Sequence, residues 1–124
     1  MNPAVRISAI PLSELKGIAA LAEYEPDGVS QRELSRNEAL AIHLFAVEKG
    51  HTLEPVIGPG EALLQILEGG ALVTVGGNEQ AAEAGRTMVL PAGLSCRIKA
   101  SRRLKILLTV IQKPELIGIE PSET

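Results

Sequence analysis

Aromatic side chains are nearly missing from this 124-residue chain, which has one Phe, one Tyr and no Trp. Binding modes that stack bases or sugar rings on aromatic faces have almost nothing to work with. Cysteine is equally scarce. Cys96 stands alone, which excludes an internal disulfide and points to a reducing compartment. There is no excess of positive charge either: 12 Lys and Arg against 15 Asp and Glu leave a formal net charge of -3. Arg36, Arg86 and Arg97 are scattered among acids and form no basic stripe, so nucleic acid is not expected as a partner. No apolar run approaches the roughly 20 residues that a membrane-spanning helix needs. The opening residues, broken by Pro3 and Pro11, lack the uninterrupted apolar stretch of a secretory signal. The expectation is a soluble, cytoplasmic protein with no membrane or nucleic-acid partner.

What is present is aliphatic. Hydrophobic residues make up 45% of the chain, so its core must be built from Leu, Ile, Val and Ala. At this length a single domain, residues 1–124, buries roughly two thirds of its unfolded surface without disulfides. Residues 13–23, SELKGIAALAE, place Leu15, Ile18, Ala19 and Ala22 at helical spacing behind Ser13 as N-cap, and the turn residues Pro26 to Gly28 end that short helix. From Val29 onward short β-like runs take over: 39–47, 63–67, 71–75, 87–90, 97–99 and 104–111, most of them separated by glycines. Such spacing predicts an all-β sandwich or barrel, not alternating β and α units. The expected division is an N-terminal helix and arm over 1–28, a core over about 29–112, and an extended C-terminal arm over 113–124. Leu116, Ile117 and Ile119 in that arm would pack back on the barrel or on a neighbouring subunit, and a homodimer is the expected assembly.

A two-part frame lies within the β region. Gly50 is followed by five residues to Val56, then Gly58, three residues to Ala62 and six to Gly69; Gly85 is followed by five residues to Pro91, then Gly93 and two residues to Cys96. Gly50, Gly69, Gly85, Pro91 and Gly93 would coincide by chance at roughly one in 10^5 per alignment, or about one per cent over a thousand or so registers. These are the lengths of the cupin motifs, G(X)5HXH(X)3-4E(X)6G and G(X)5PXG(X)2H(X)3N, and the chain resembles a cupin over about residues 40–112. The resemblance implies a single-domain double-stranded β-helix, a jelly-roll barrel, preceded here by the short helix. In that family the two histidines and the glutamate of the first motif and the histidine of the second bind a metal. The corresponding positions here hold Val56, Gly58, Ala62 and Cys96, so neither a metal nor any other cofactor is expected.

Strand residues two apart share a face. On that parity Val56, Ala62, Leu64 and Ile66 face the cavity from the first motif, and Met88, Leu90, Cys96 and Ile98 from the second. The expected lining suits a small apolar ligand. No catalytic residue is identifiable. His43, in mid-strand, could meet Cys96 and a carboxylate such as Glu48 or Glu54 in a partial metal site; the plainer reading makes it an ordinary strand residue and His51 a loop residue. Cys96 could be a reactive thiol, although Arg97 beside it should face away; the plainer reading is a buried, inert cysteine. Glu61, Glu68 and the pair Arg102-Arg103 read as solvated groups. Three functions stay open. The first is a metal-free small-molecule-binding or sensing protein; the second is a metal-dependent dioxygenase or isomerase with an atypical ligand set; the third is a structural or interaction module whose barrel is filled.

Overall fold

The computed structural model describes residues 17–26 and 28–112. Nine strands follow one another: β1 Val29–Arg36, β2 Leu40–Val47, β3 Thr52–Leu53, β4 Ala62–Glu68, β5 Gly70–Val75, β6 Asn78–Glu83, β7 Thr87–Leu90, β8 Cys96–Ala100 and β9 Leu104–Ile111. They form two antiparallel sheets, one in the order β1-β2-β9-β4-β7 and one in the order β3-β8-β5-β6. The architecture is the all-β jelly roll expected from the sequence. The expected runs at 39–47, 63–67, 71–75, 87–90, 97–99 and 104–111 all coincide with strands to within a residue or two.

Period-two burial explains why those runs were legible. Along β9 every second residue from Leu104 to Val110 is buried, and β8 alternates in the same way through Cys96, Ile98 and Ala100. Those side chains meet Phe45 and Val47 from β2, Ala62, Leu64 and Ile66 from β4, and Val73 from β5 in one aliphatic core between the sheets. Leu64, Leu90, Ile98, Leu104 and Ile106 have no solvent exposure at all.

The glycines of the frame hold the corners. Gly50, Gly69, Gly85 and Gly93 all have φ between 84° and 90°, a region that side chains disfavour. At Gly69, between β4 and β5, a Cβ would lie 1.6 Å from the Arg103 carbonyl oxygen, so the close approach admits no other residue.

The helix expected over 13–23 is not what the described part shows. Its first residues, 13–16, lie outside the described residues, and Ile18–Leu21 forms one 3-10 turn with no side-chain cap. Gly17 at the N-cap position supplies no side-chain acceptor, and the backbone is extended again at Ala22. Packing holds this segment instead. Ile18, Leu21, Ala22 and Tyr24 cover Leu34, Leu44 and Ala46 on the outer face of the larger sheet. Polar bonds fix its path: Lys105 Nζ donates to the Ala19 carbonyl at 2.8 Å and Arg32 Nη1 to the Leu21 carbonyl at 3.0 Å. The C-terminal arm expected over 113–124 lies outside the described residues. No helix among those described is long and apolar enough to cross a membrane.

Candidate functional site

The inner face of β1, β2 and β9 does not meet the opposite sheet along its whole length. Where the chain passes from β3 to β4, residues 54–60 form a loop without a strand, and between that loop and the larger sheet lies an open cleft of about 430 Å³. Its floor is apolar, made by Phe45, Leu53, Leu108 and Val110. Its polar wall is Gln31 and Arg36 from β1, His43 from β2, and Gln112 just beyond β9.

Alternation along β2 places His43 there. Phe45 and Val47 belong to the central core, and His43, two residues before Phe45, shares their face. The residue is 8% exposed, and Nδ1 lies 2.9 Å from the Gln31 amide nitrogen, with the Phe45 ring centroid 6.0 Å from that of the imidazole. Burial, reinforced by the charge of Arg36 and partly opposed by Glu33, lowers the His43 pKa below the ordinary imidazole value, which favours the neutral ring. Arg36 is tied at one edge, with Nε donating to Glu33 Oε1 at 3.0 Å and Nη1 to Gln112 Oε1 at 3.3 Å. Gln112 Nε2 in turn donates to the Asn37 carbonyl at 2.6 Å.

The eight residues expected to line one cavity are distributed differently. Ala62, Leu64, Ile66, Leu90, Cys96 and Ile98 are buried in the packed core. Leu64 and Ile66, with the half-buried Met88, also border a second recess of about 260 Å³ near Arg86 and Thr87. Val56 is 89% exposed on the rim of the cleft, where an inward position was expected. Strand parity fails there because Pro55 and Pro59 have no N–H to give a ladder, and the chain from 54 to 60 is loop. Gly58, the next frame position, has φ 140° and no side chain to offer.

Cys96 and His43 do not come together. His43 lies on the cleft wall paired with Gln31, whereas Cys96 is buried at the start of β8, paired in register with Val75. Burial pushes the Cys96 thiol pKa up, the reverse of what an activated nucleophile requires. Arg97 turns outward to Glu54 at 3.3 Å, and the Glu48 carboxylate is held by Arg103 at 3.0 Å. Among the described residues no group of three or more His, Cys, Asp or Glu side chains is placed to hold a metal ion. His51 is an exposed loop residue whose ring covers Gly28.

Two groups read as merely solvated have partners. Arg103 stacks over the Tyr24 ring at 4.7 Å while gripping Glu48, and Glu68 accepts a bond from the Tyr24 hydroxyl at 2.7 Å. Arg102 donates to the Gly69 carbonyl at 3.0 Å. The cleft residues Gln31 and Gln112 went unnoticed in the sequence, and Arg36 reads there only as a scattered cation. Only the alternation Ala41, His43, Phe45, Val47 carried a signal, since it puts His43 on the core face.

Two facing antiparallel sheets with left-handed glycines at the frame corners define a class: the chain is a cupin-fold protein. It is similar to a conserved protein of unknown function from Streptococcus pyogenes, with 26% identity, a TM-score of 0.81, and 90% of this chain and 98% of that one covered. A cupin superfamily protein from Desulfitobacterium hafniense is similar at 23% identity and a TM-score of 0.81, covering 87% of this chain and 99% of that one. A cupin 2 conserved barrel domain protein from Leptotrichia buccalis matches at 16% identity and a TM-score of 0.80, over 95% of this chain and 58% of that one. No protein-family model matches the chain, and no curated protein is similar to it in sequence.

Proposed function

We propose that this chain is a non-enzymatic small-molecule-binding or sensing protein, that it takes its ligand in the cleft beside His43, and that its family's metal-ligand positions are lost. The observation that carries this reading is the cleft itself, about 430 Å³ with an apolar floor and a short polar wall, the usual build of a small-ligand site. The barrel centre is a poorer candidate because Leu90 and Ile98 already fill it, and the recess beside Leu64 and Ile66, at about 260 Å³, is smaller than the cleft.

The residues at the four motif positions do not fit a metal. A transition-metal site needs about three converging N, S or carboxylate donors. Val56, Gly58 and Ala62 have none, and Cys96 is a single buried thiol. Nor does the wall of the cleft contain a nucleophile with an adjacent base, which supports binding over catalysis.

Titration with cyclohexanemethanol, followed by amide NMR, tests the location. Shifts should cluster on β1, β2 and residues 53–58 and spare β6. No shifts, or shifts scattered over the surface, would overturn it and leave the barrel as a packed interaction module.

A further inference from the structure

We propose that the cleft selects small organic acids, with the carboxylate held between Arg36 and His43 and an aliphatic body resting on Phe45, Leu108 and Val110; this rests on the reading of the cleft as a binding site. The inventory of unspent polar atoms leads there. Arg36 uses Nε on Glu33 and Nη1 on Gln112, and its Nη2 bonds to no described residue. With the Gln31 amide nitrogen facing Nδ1, the neutral imidazole of His43 carries its proton on Nε2, for which no described residue is an acceptor. Both free groups are donors.

Two acceptors of the wall are already engaged. Glu54 Oε1 is engaged by Arg97, and Gln112 Oε1 by Arg36. Two unspent donors, one of them on a cation, complement a ligand that brings acceptors of its own. A guanidinium edge beside a second N–H matches the two oxygens of a carboxylate, and a charge-assisted bond of this kind is stronger than one to a neutral hydroxyl. Among the described residues that line the cleft Arg36 is the one cation, so a monoanion fits better than a dianion. The four apolar floor residues ask for a hydrocarbon body behind the acid.

Glu33 tempers the site. It holds Arg36 from the side at 3.0 Å and competes with any incoming carboxylate. Its removal should therefore strengthen acid binding, an outcome that a damaged fold would not produce.

Calorimetric titration with cyclohexanecarboxylate and cyclohexanemethanol, which share one ring and differ in the polar group, tests the proposal. The acid should bind about tenfold more tightly than the alcohol at low salt. Arg36→Gln should erase that preference, and Glu33→Gln should tighten the acid several-fold while leaving the alcohol unchanged. Equal affinity for acid and alcohol in the unaltered protein, or an acid affinity that falls in Glu33→Gln, would overturn the acid selectivity while the binding site stands. Failure of both compounds to bind would overturn the binding site with it.

Discussion

A hydrogen in place of a methyl group decides whether β4 can turn into β5. Gly69 and Gly77 have nearly the same backbone, φ 85° and 86°, but a Cβ would meet the Arg103 carbonyl oxygen at Gly69 and nothing within 4 Å at Gly77. The comparison separates conformational cost from steric cost. Gly77→Ala should destabilise by about 1–2 kcal/mol, the penalty for a left-handed alanine, whereas Gly69→Ala should cost roughly 3–5 kcal/mol; urea unfolding measures both. Similar losses in the two variants would show that the turn can relax around the clash. Packing gives a second contrast. Leu64→Ala should cost roughly 2–5 kcal/mol because Leu64 is fully buried, and Val56→Ala should stay within about 0.5 kcal/mol because Val56 is on the cleft rim.

His43 adds a pH dependence at the same scale. Its pKa is lowered on folding, so below the ordinary imidazole value the unfolded chain takes up a proton that the folded ring resists. Stability should therefore fall as the pH drops from the ordinary imidazole range toward the depressed pKa, and level off below it. Urea midpoints measured across that interval should show the slope, and His43→Gln should flatten it. The sequence made His43 visible as a strand residue. Its neighbours on the cleft wall were not visible, because Gln31, Arg36 and Gln112 are ordinary polar residues until register sets them side by side.

Elements differed in legibility for a physical reason. Strands in the middle of a sheet, such as β9, carry the alternation that burial on one face imposes. β1, β3 and β6 lie on sheet edges and do not; β6, NEQAAE, has no fully buried residue. A strand solvated along one edge and on most of its faces has no hydrophobic period to read. The 3-10 segment failed differently, since the spacing of its apolar residues was real but served contact with the outer face of the sheet, not an α-helix. Tyr24 is the latch of that contact. Burial first, then its bond to the Glu68 carboxylate, raise its phenol pKa well above the ordinary tyrosine value. It is the only tyrosine, and with no Trp the ultraviolet titration reports on it alone. Glu68→Gln should lower the midpoint part of the way toward that of free tyrosine, burial keeping the remainder; an unchanged midpoint would mean that the bond is not made in solution.

At the scale of the whole molecule, the frame of Gly50, Gly69, Gly85, Pro91 and Gly93 conveyed the fold because backbone conformation at the corners constrains residue type directly. The site was less legible. The inward parity runs back from Leu64 to Val56 as if the chain between them were strand, and Pro55 and Pro59 belong instead to the loop that opens the cleft. The inward set inferred by parity consequently became mostly core, with the opening displaced toward β1 and β2. On the proposed reading, in which Val56, Gly58, Ala62 and Cys96 stand where the family's metal donors would be, the chain should hold no metal of its own. Elemental analysis of the purified protein, after growth with Fe, Mn, Ni and Zn supplied, tests that most directly. Trace metal only is the predicted result, and one tightly held transition-metal ion per chain would contradict it.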